Sequence, residues 1–171
     1  MKPSQAQIEC LLEAATYAPS HHVTEPWHFF VLTEAARDKL GEIMEESLRQ
    51  RLETCVSEKA QQQLANERKK PLRASVIIAI ALRAAHHLAE ELIEQIAAAS
   101  AAVQNMLLAA EEMDLTTIWR TGDPAHDPLV KQWLSLDPSD HIVAFVYIGY
   151  PKVTRARRIP TYFSKKTTWL P

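Results

Sequence analysis

Three glycines in 171 residues, Gly41, Gly122 and Gly149, leave this chain without a glycine-rich loop. Rossmann and P-loop readings are excluded, because both rely on such loops to bring backbone amides against phosphates. A nucleotide-like cofactor would have to be held by side chains, helix ends and ordinary backbone amides. Cysteine is as scarce. Cys10 and Cys55 are too few and too far apart for a disulfide framework or a zinc site. The longest apolar run, Val76 to Leu82, is far short of a membrane span. Met1-Lys2-Pro3-Ser4-Gln5 has no apolar stretch of the kind a secretory leader needs. With 19 basic against 21 acidic residues the net charge is −2, which leaves no footprint for nucleic acid or an anionic membrane. These absences predict a soluble, reduced, cytoplasmic protein. What is abundant is apolar surface, at 47% of residues. That suffices for one good core and for a single domain over residues 1–171.

Periodicity and punctuation divide the chain. Ser4 reads as the N-cap of a helix over Gln5–Tyr17, with Ile8, Leu11, Leu12 and Ala15 on one face and Pro19 ending it. Trp27–Thr33 reads as a buried strand, after which Thr33 caps a helix running from Glu34 to about Glu53. A polar helical piece from about Val56 to Lys69 is stopped by Pro71, its charged end largely solvated. Ser75–Leu82, β-branched and apolar on both faces, reads as a central strand. Leu88–Met113 is a long alanine-rich helix whose small side chains allow close approach to the sheet, a partner subunit, or both. Asp114 stands where a helix stop would carry glycine. Thr116–Arg120 is a short strand, Gly122-Asp123-Pro124 a turn, Asp127–Leu134 a small helix and Ile142–Tyr150 the last core strand. No acid follows Asp140, and the tail from Lys152 to Pro171 is basic. The order predicts an α+β sandwich with a four-stranded sheet rather than a doubly wound fold.

Two segments carry chemistry. Ala14–Trp27, AATYAPSHHVTEPW, is a polar loop wedged between a helix and a buried strand, where binding residues concentrate. Ile118-Trp119-Arg120-Thr121-Gly122 puts a guanidinium at the end of an apolar strand, where an unpaired charge is expensive. On the residues alone, His21 and His22 serve as loop solvation or as ligand contacts, and Trp119 as core packing or a cofactor wall. His86-His87 with His28 offers no metal-like spacing, since adjacent histidines point to different sides, and no metal is expected.

Read together, these segments and Ala101-Ala102-Val103-Gln104-Asn105-Met106-Leu107-Leu108-Ala109-Ala110 resemble the nitroreductase family, in its compact branch. The resemblance covers nearly the whole chain. It implies an α/β sandwich with a mostly antiparallel four- to five-stranded central sheet flanked by helices, folded as an intertwined homodimer. FMN would lie at the subunit interface. NADH or NADPH would reduce it, and nitroaromatics, quinones or other small acceptors would be reduced in turn, by ping-pong hydride transfer. By the same resemblance Tyr17 and His21 contact FMN from the first helix and its loop. Trp119, Arg120 and Thr121 lie against it from the other side, and Ala109 through Asp114 match a nicotinamide-binding segment. No catalytic acid or base is implied, because the chemistry resides on the flavin. Arg120 is placed to stabilise the reduced ring, which is electron-rich near N1 and the C2 carbonyl.

The family's Arg-Arg-Ser-like motif, which grips the FMN phosphate, has no counterpart in these residues. The basic tail offers a substitute: Arg157 and Arg158, crossing to the site from the partner subunit. The alternative function is a flavin-free or weakly flavin-binding dimer of the same fold, acting in ligand binding or interaction.

Overall fold

The computed structural model describes residues 2–52, 55–83, 92–153 and 159–170. Helix α1 (Gln5–Thr16) starts at Ser4 with a complete capping box, in which the Ser4 hydroxyl accepts from the Gln7 amide and the Gln7 side chain accepts from the Ser4 amide. Strand β1 (Trp27–Thr33) follows, then α2 (Ala35–Arg51) and α3 (Glu58–Lys69). Thr33 does not cap α2. It stays in the strand, and Glu34 occupies the cap at φ 43° with no side-chain cap bond. A 3₁₀ turn, Lys70–Arg73, leads into β2 (Val76–Leu82).

Helix α4 (Leu92–Glu112) is stopped where expected. Asp114 takes up a left-handed conformation at φ 55°, and the Leu115 amide donates back to the Ala110 carbonyl at 2.9 Å. Strand β3 (Thr116–Arg120), the one-turn α5 (Asp123–His126) in place of the expected open turn, α6 (Pro128–Trp133) and β4 (His141–Gly149) complete the order.

The four strands form one antiparallel sheet in the order β1-β2-β4-β3. As its composition predicts, β2 is interior and buried along its whole length. Each face of the sheet builds its own core. Val76, Ile78, Ile80 and Leu82 pack with Val146 and Ile148 against Leu11 of α1 and Val103 and Met106 of α4. Their neighbours Ile77, Ala79 and Ala81 turn the other way, packing with Phe145 and Tyr147 against Leu40 and Met44 of α2 and Val130 of α6. The register of β2 against β4 steps between Ile80 and Ala81, which pair with Ala144 and Ile142. Val143 is thus the extra residue of a bulge. Past it, Phe145 and Tyr147 lie on the same face as Ile142.

Helix α4 is long and apolar enough to cross a membrane by length and composition, with mean hydropathy 1.2 over its best window. Its burial against the sheet through Ala99, Ala102, Val103, Met106 and Ala110 is that of a core helix.

Candidate functional site

Three elements enclose a groove on the α2 face of the sheet. Strand β3 is an edge strand, and its pairing sets Ile118 beside Tyr147 and Arg120 beside Phe145, side chains on one face. Opposite them lies the 3₁₀ turn carrying Lys70 and Arg73, delivered by α3. A cavity of about 80 Å³ lies between Met44, Lys70, Arg73, Arg120, Thr121 and Tyr147. An adjoining one of about 240 Å³ shares Arg73, Arg120 and Tyr147 and runs along β4 to Lys152.

The charges in this groove are one-sided. Lys70 pairs with Glu67 at 2.5 Å. Among the described residues no carboxylate pairs with Arg73, Arg120 or Lys152. The Arg120 guanidinium lies 5.8 Å over the ring of Tyr147. Burial pushes the Tyr147 phenol above its ordinary range, and Arg120 and Arg73 pull against that shift. Cations around an apolar floor suit a planar group with an electron-rich edge, or a phosphate.

On the other face, the α1–β1 loop is held under strain. His22, Val23 and Glu25 all have positive φ, at 48°, 55° and 45°. For β-branched Val23 this is a true outlier. Loop bonds hold the shape: Ser20 Oγ accepts from the Glu25 amide, and the Thr24 hydroxyl donates to the His21 carbonyl, both at 3.0 Å. Tyr17 (78% exposed), His21 and Val23 (79% exposed) present themselves to solvent from this segment. Strain of this kind collects at ligand clamps.

The residues singled out from sequence therefore fall into two groups. Arg120 and Thr121 line the groove; Tyr17 and His21 belong to the loop above the α1–α4 layer. One protomer does not bring the two groups together. Trp119 is separated from Arg120 by the pleat: it pairs with Val146 and so faces the α4 side, 38% exposed. Arg120 itself is exposed, because β3 is an edge strand, so its charge is solvated rather than buried as its position in the sequence implied. Arg157, Arg158, His86 and His87 lie outside the described residues.

Lys70 and Arg73 line the groove although the sequence singles out neither, Lys70 falling in the solvated end of a polar helix. The available signal was a Lys-Pro-Leu-Arg stretch set immediately before the central strand.

A four-stranded antiparallel sheet with helices on both faces, and a cationic groove beside its edge strand, defines the class as an α+β sandwich. The chain belongs to the nitroreductase family, whose sequence model matches residues 1–150, and it is an oxidoreductase of that family. Among curated proteins it is 29% identical over 157 residues to YdjA of Escherichia coli strain K12, a candidate NAD(P)H nitroreductase, covering 92% of this chain and 82% of that one. It is 28% identical to YfhC of Bacillus subtilis strain 168, a protein of the same description, covering 85% and 73%. Among solved structures, a nitroreductase-like family protein from Bacillus cereus superposes with a TM-score of 0.79 at 23% identity, over 99% of this chain and 87% of that one. A Desulfovibrio desulfuricans relative, solved in complex with FMN, gives 0.71 at 24% identity over 100% and 87%.

Proposed function

We propose that this protein is an FMN-dependent oxidoreductase that takes hydride from NADH or NADPH and reduces nitroaromatics, quinones or similar small acceptors in a ping-pong cycle. The observation that carries this reading is the groove. Arg73 and Arg120, without carboxylate partners among the described residues, stand over an apolar floor of Ile118 and Tyr147, with Lys70 and Lys152 at its two ends. That donor set fits FMN, which combines a flat apolar ring with an electron-rich edge and a phosphate dianion. When bound, FMN supplies the hydride chemistry, and the protein supplies position, charge and exclusion of water. Arg120 supplies the planar, multiply donating guanidinium such a ligand's electron-rich edge accepts from. Arg157 and Arg158 remain the candidates for the phosphate.

The site is completed by a second copy of the chain, with Tyr17 and His21 contributed by one protomer and Arg120 and Thr121 by the other. Two features support a homodimer. Ile93, Ile96 and Leu108 leave an apolar face on the outer side of α4. The tail exposes Ile159, Tyr162, Phe163, Trp169 and Leu170, more apolar surface than a free strap should show to water. Charge points the same way: the tail from Lys152 onward holds six cations and no acid, and the rest of the chain is acidic by eight. In this reading residues 1–171 form one domain, residues 151–171 cross to the partner, and the enzyme works in the cytoplasm.

The test is uptake of FMN. Titration should quench tryptophan fluorescence, and the yellow complex should bleach on anaerobic addition of NADH or NADPH. A protein that takes up no added flavin overturns the proposal and leaves the flavin-free dimer in its place.

A further inference from the structure

The turn that follows Arg120 is tied to a helix far away in sequence. Gly122, at φ 95°, lets the chain double back after Thr121, and the Ala125 amide donates to the Gly122 carbonyl at 2.9 Å. Thr121 and Pro124 of this turn form one wall of the smaller cavity, and Leu40 and Met44 of α2 form another. Two bonds join these walls. At the surface, Arg51 of α2 meets Asp123 at 2.6 Å, with both side chains about half exposed or more, so the pair contributes little. The second bond is buried: the Ser47 hydroxyl donates to Oδ2 of Asp127, residues 6% and 9% exposed.

Asp127 has a local task, accepting from the Leu129 and Val130 amides to cap α6, and for this it uses Oδ1 alone. Capping α6 therefore does not account for Ser47, eighty residues away, engaging the other oxygen. A buried carboxylate with both oxygens engaged fixes the distance between the elements that bear its partners.

We propose that Ser47 and Asp127 are positioning residues for the cavity, pinning the Thr121–Pro124 wall to α2 so that Arg120 and Thr121 stay in register with Lys70 and Arg73. The assignment rests on the reading of the groove as the cofactor site. The anchor acts through the backbone of the turn and does not itself touch a ligand.

Two measurements on Ser47→Ala, Asp127→Ala and Asp127→Asn test it. Amide exchange is followed at Ala125 in the flavin-free protein, and FMN affinity is measured by fluorescence titration well below the melting range. Ser47→Ala and Asp127→Ala should each speed exchange at that amide, and should weaken FMN binding about tenfold. Asp127→Asn keeps the capping oxygen and can still bond Ser47, so it should restore most of both. Variants that lower only the melting temperature, with exchange at the turn and FMN affinity unchanged, overturn the proposal and leave a merely structural pair. Failure of the unmodified protein to take up FMN would sink the functional reading instead, and amide exchange would still decide the anchor.

Discussion

Replacing Gly41 by alanine sets two well-calibrated effects against each other. Gly41 lies inside α2, where glycine-to-alanine exchange ordinarily stabilises a helix by about 0.8–1 kcal/mol. Here, however, α3 crosses so closely that an added Cβ would overlap the Arg68 carbonyl oxygen and lie 3.2 Å from its carbon. That carbonyl belongs to the last turn of α3, and a backbone atom cannot swing aside as a side-chain tip would. The helices must part, at roughly the 1–3 kcal/mol typical of overpacking or somewhat more. The clash wins by about 1–2 kcal/mol, a fall in melting temperature of roughly 2–8 °C for a chain of this size. Because α3 runs directly into the Lys70–Arg73 turn, the displacement also moves the groove cations, and FMN affinity should fall with stability. Thermal unfolding followed by circular dichroism measures the first effect and flavin titration the second. Gly149→Ala is the control, since its Cβ would meet Ser75 Oγ at an ordinary 3.6 Å and should change stability by less than about 0.5 kcal/mol. A Gly41→Ala protein that melts higher than its parent refutes the close-crossing argument.

Arg120→Ala should weaken FMN binding by about 1 kcal/mol, a charge-assisted contact discounted for its exposure. It should also make the flavin midpoint potential more negative by roughly 20–30 mV, measurable with a reference dye, because the reduced ring loses its cation. An unchanged potential removes Arg120 from the site. Val23→Gly should raise stability by up to about 1 kcal/mol in a denaturant melt, since the residue is strained and packs against little; a loss would mean the loop is not strained. His28 is held below its ordinary pKa, first by burial and then by the neighbouring Arg83. Its charging therefore opposes folding. The penalty is absent above about pH 6.5 and grows as pH falls from there through the lower folded value. His28→Gln should flatten the decline in melting temperature between about pH 7 and 5, and an equally steep decline in the variant would show that other groups cause it.

The elements legible in the sequence were those whose signals are local. Ser4 before the first helix, the unbroken apolar run of β2 and Asp114 after the long helix each announce themselves within a few residues. The groove did not, because Lys70 and Arg73 become site residues only through the close crossing of α2 and α3 at Gly41, a contact between segments with no common pattern. Val23 at positive φ was equally hidden, since valine is among the residues that avoid that region. The resemblance places Trp119 and Arg120 in one cofactor-facing stretch, although alternation along a strand sets neighbours on opposite faces. Resemblance grouped what the pleat divides.

Val143 has a consequence for how this fold can drift. Up to the bulge, β4 counts its side chains in one phase, and beyond it in the opposite phase. Loss of that one residue would restore strict alternation with Ile142 and the Phe145–Tyr147 pair still on one side, whereas loss of two would turn one of them over. If the double loss turned the aromatic pair over, Arg120 would lose its shelf though no residue touching it had been replaced. Between Ile142 and Phe145 the single loss of Val143 should therefore be tolerated and the loss of two residues should not, a parity rule that a set of single and double deletions would expose directly.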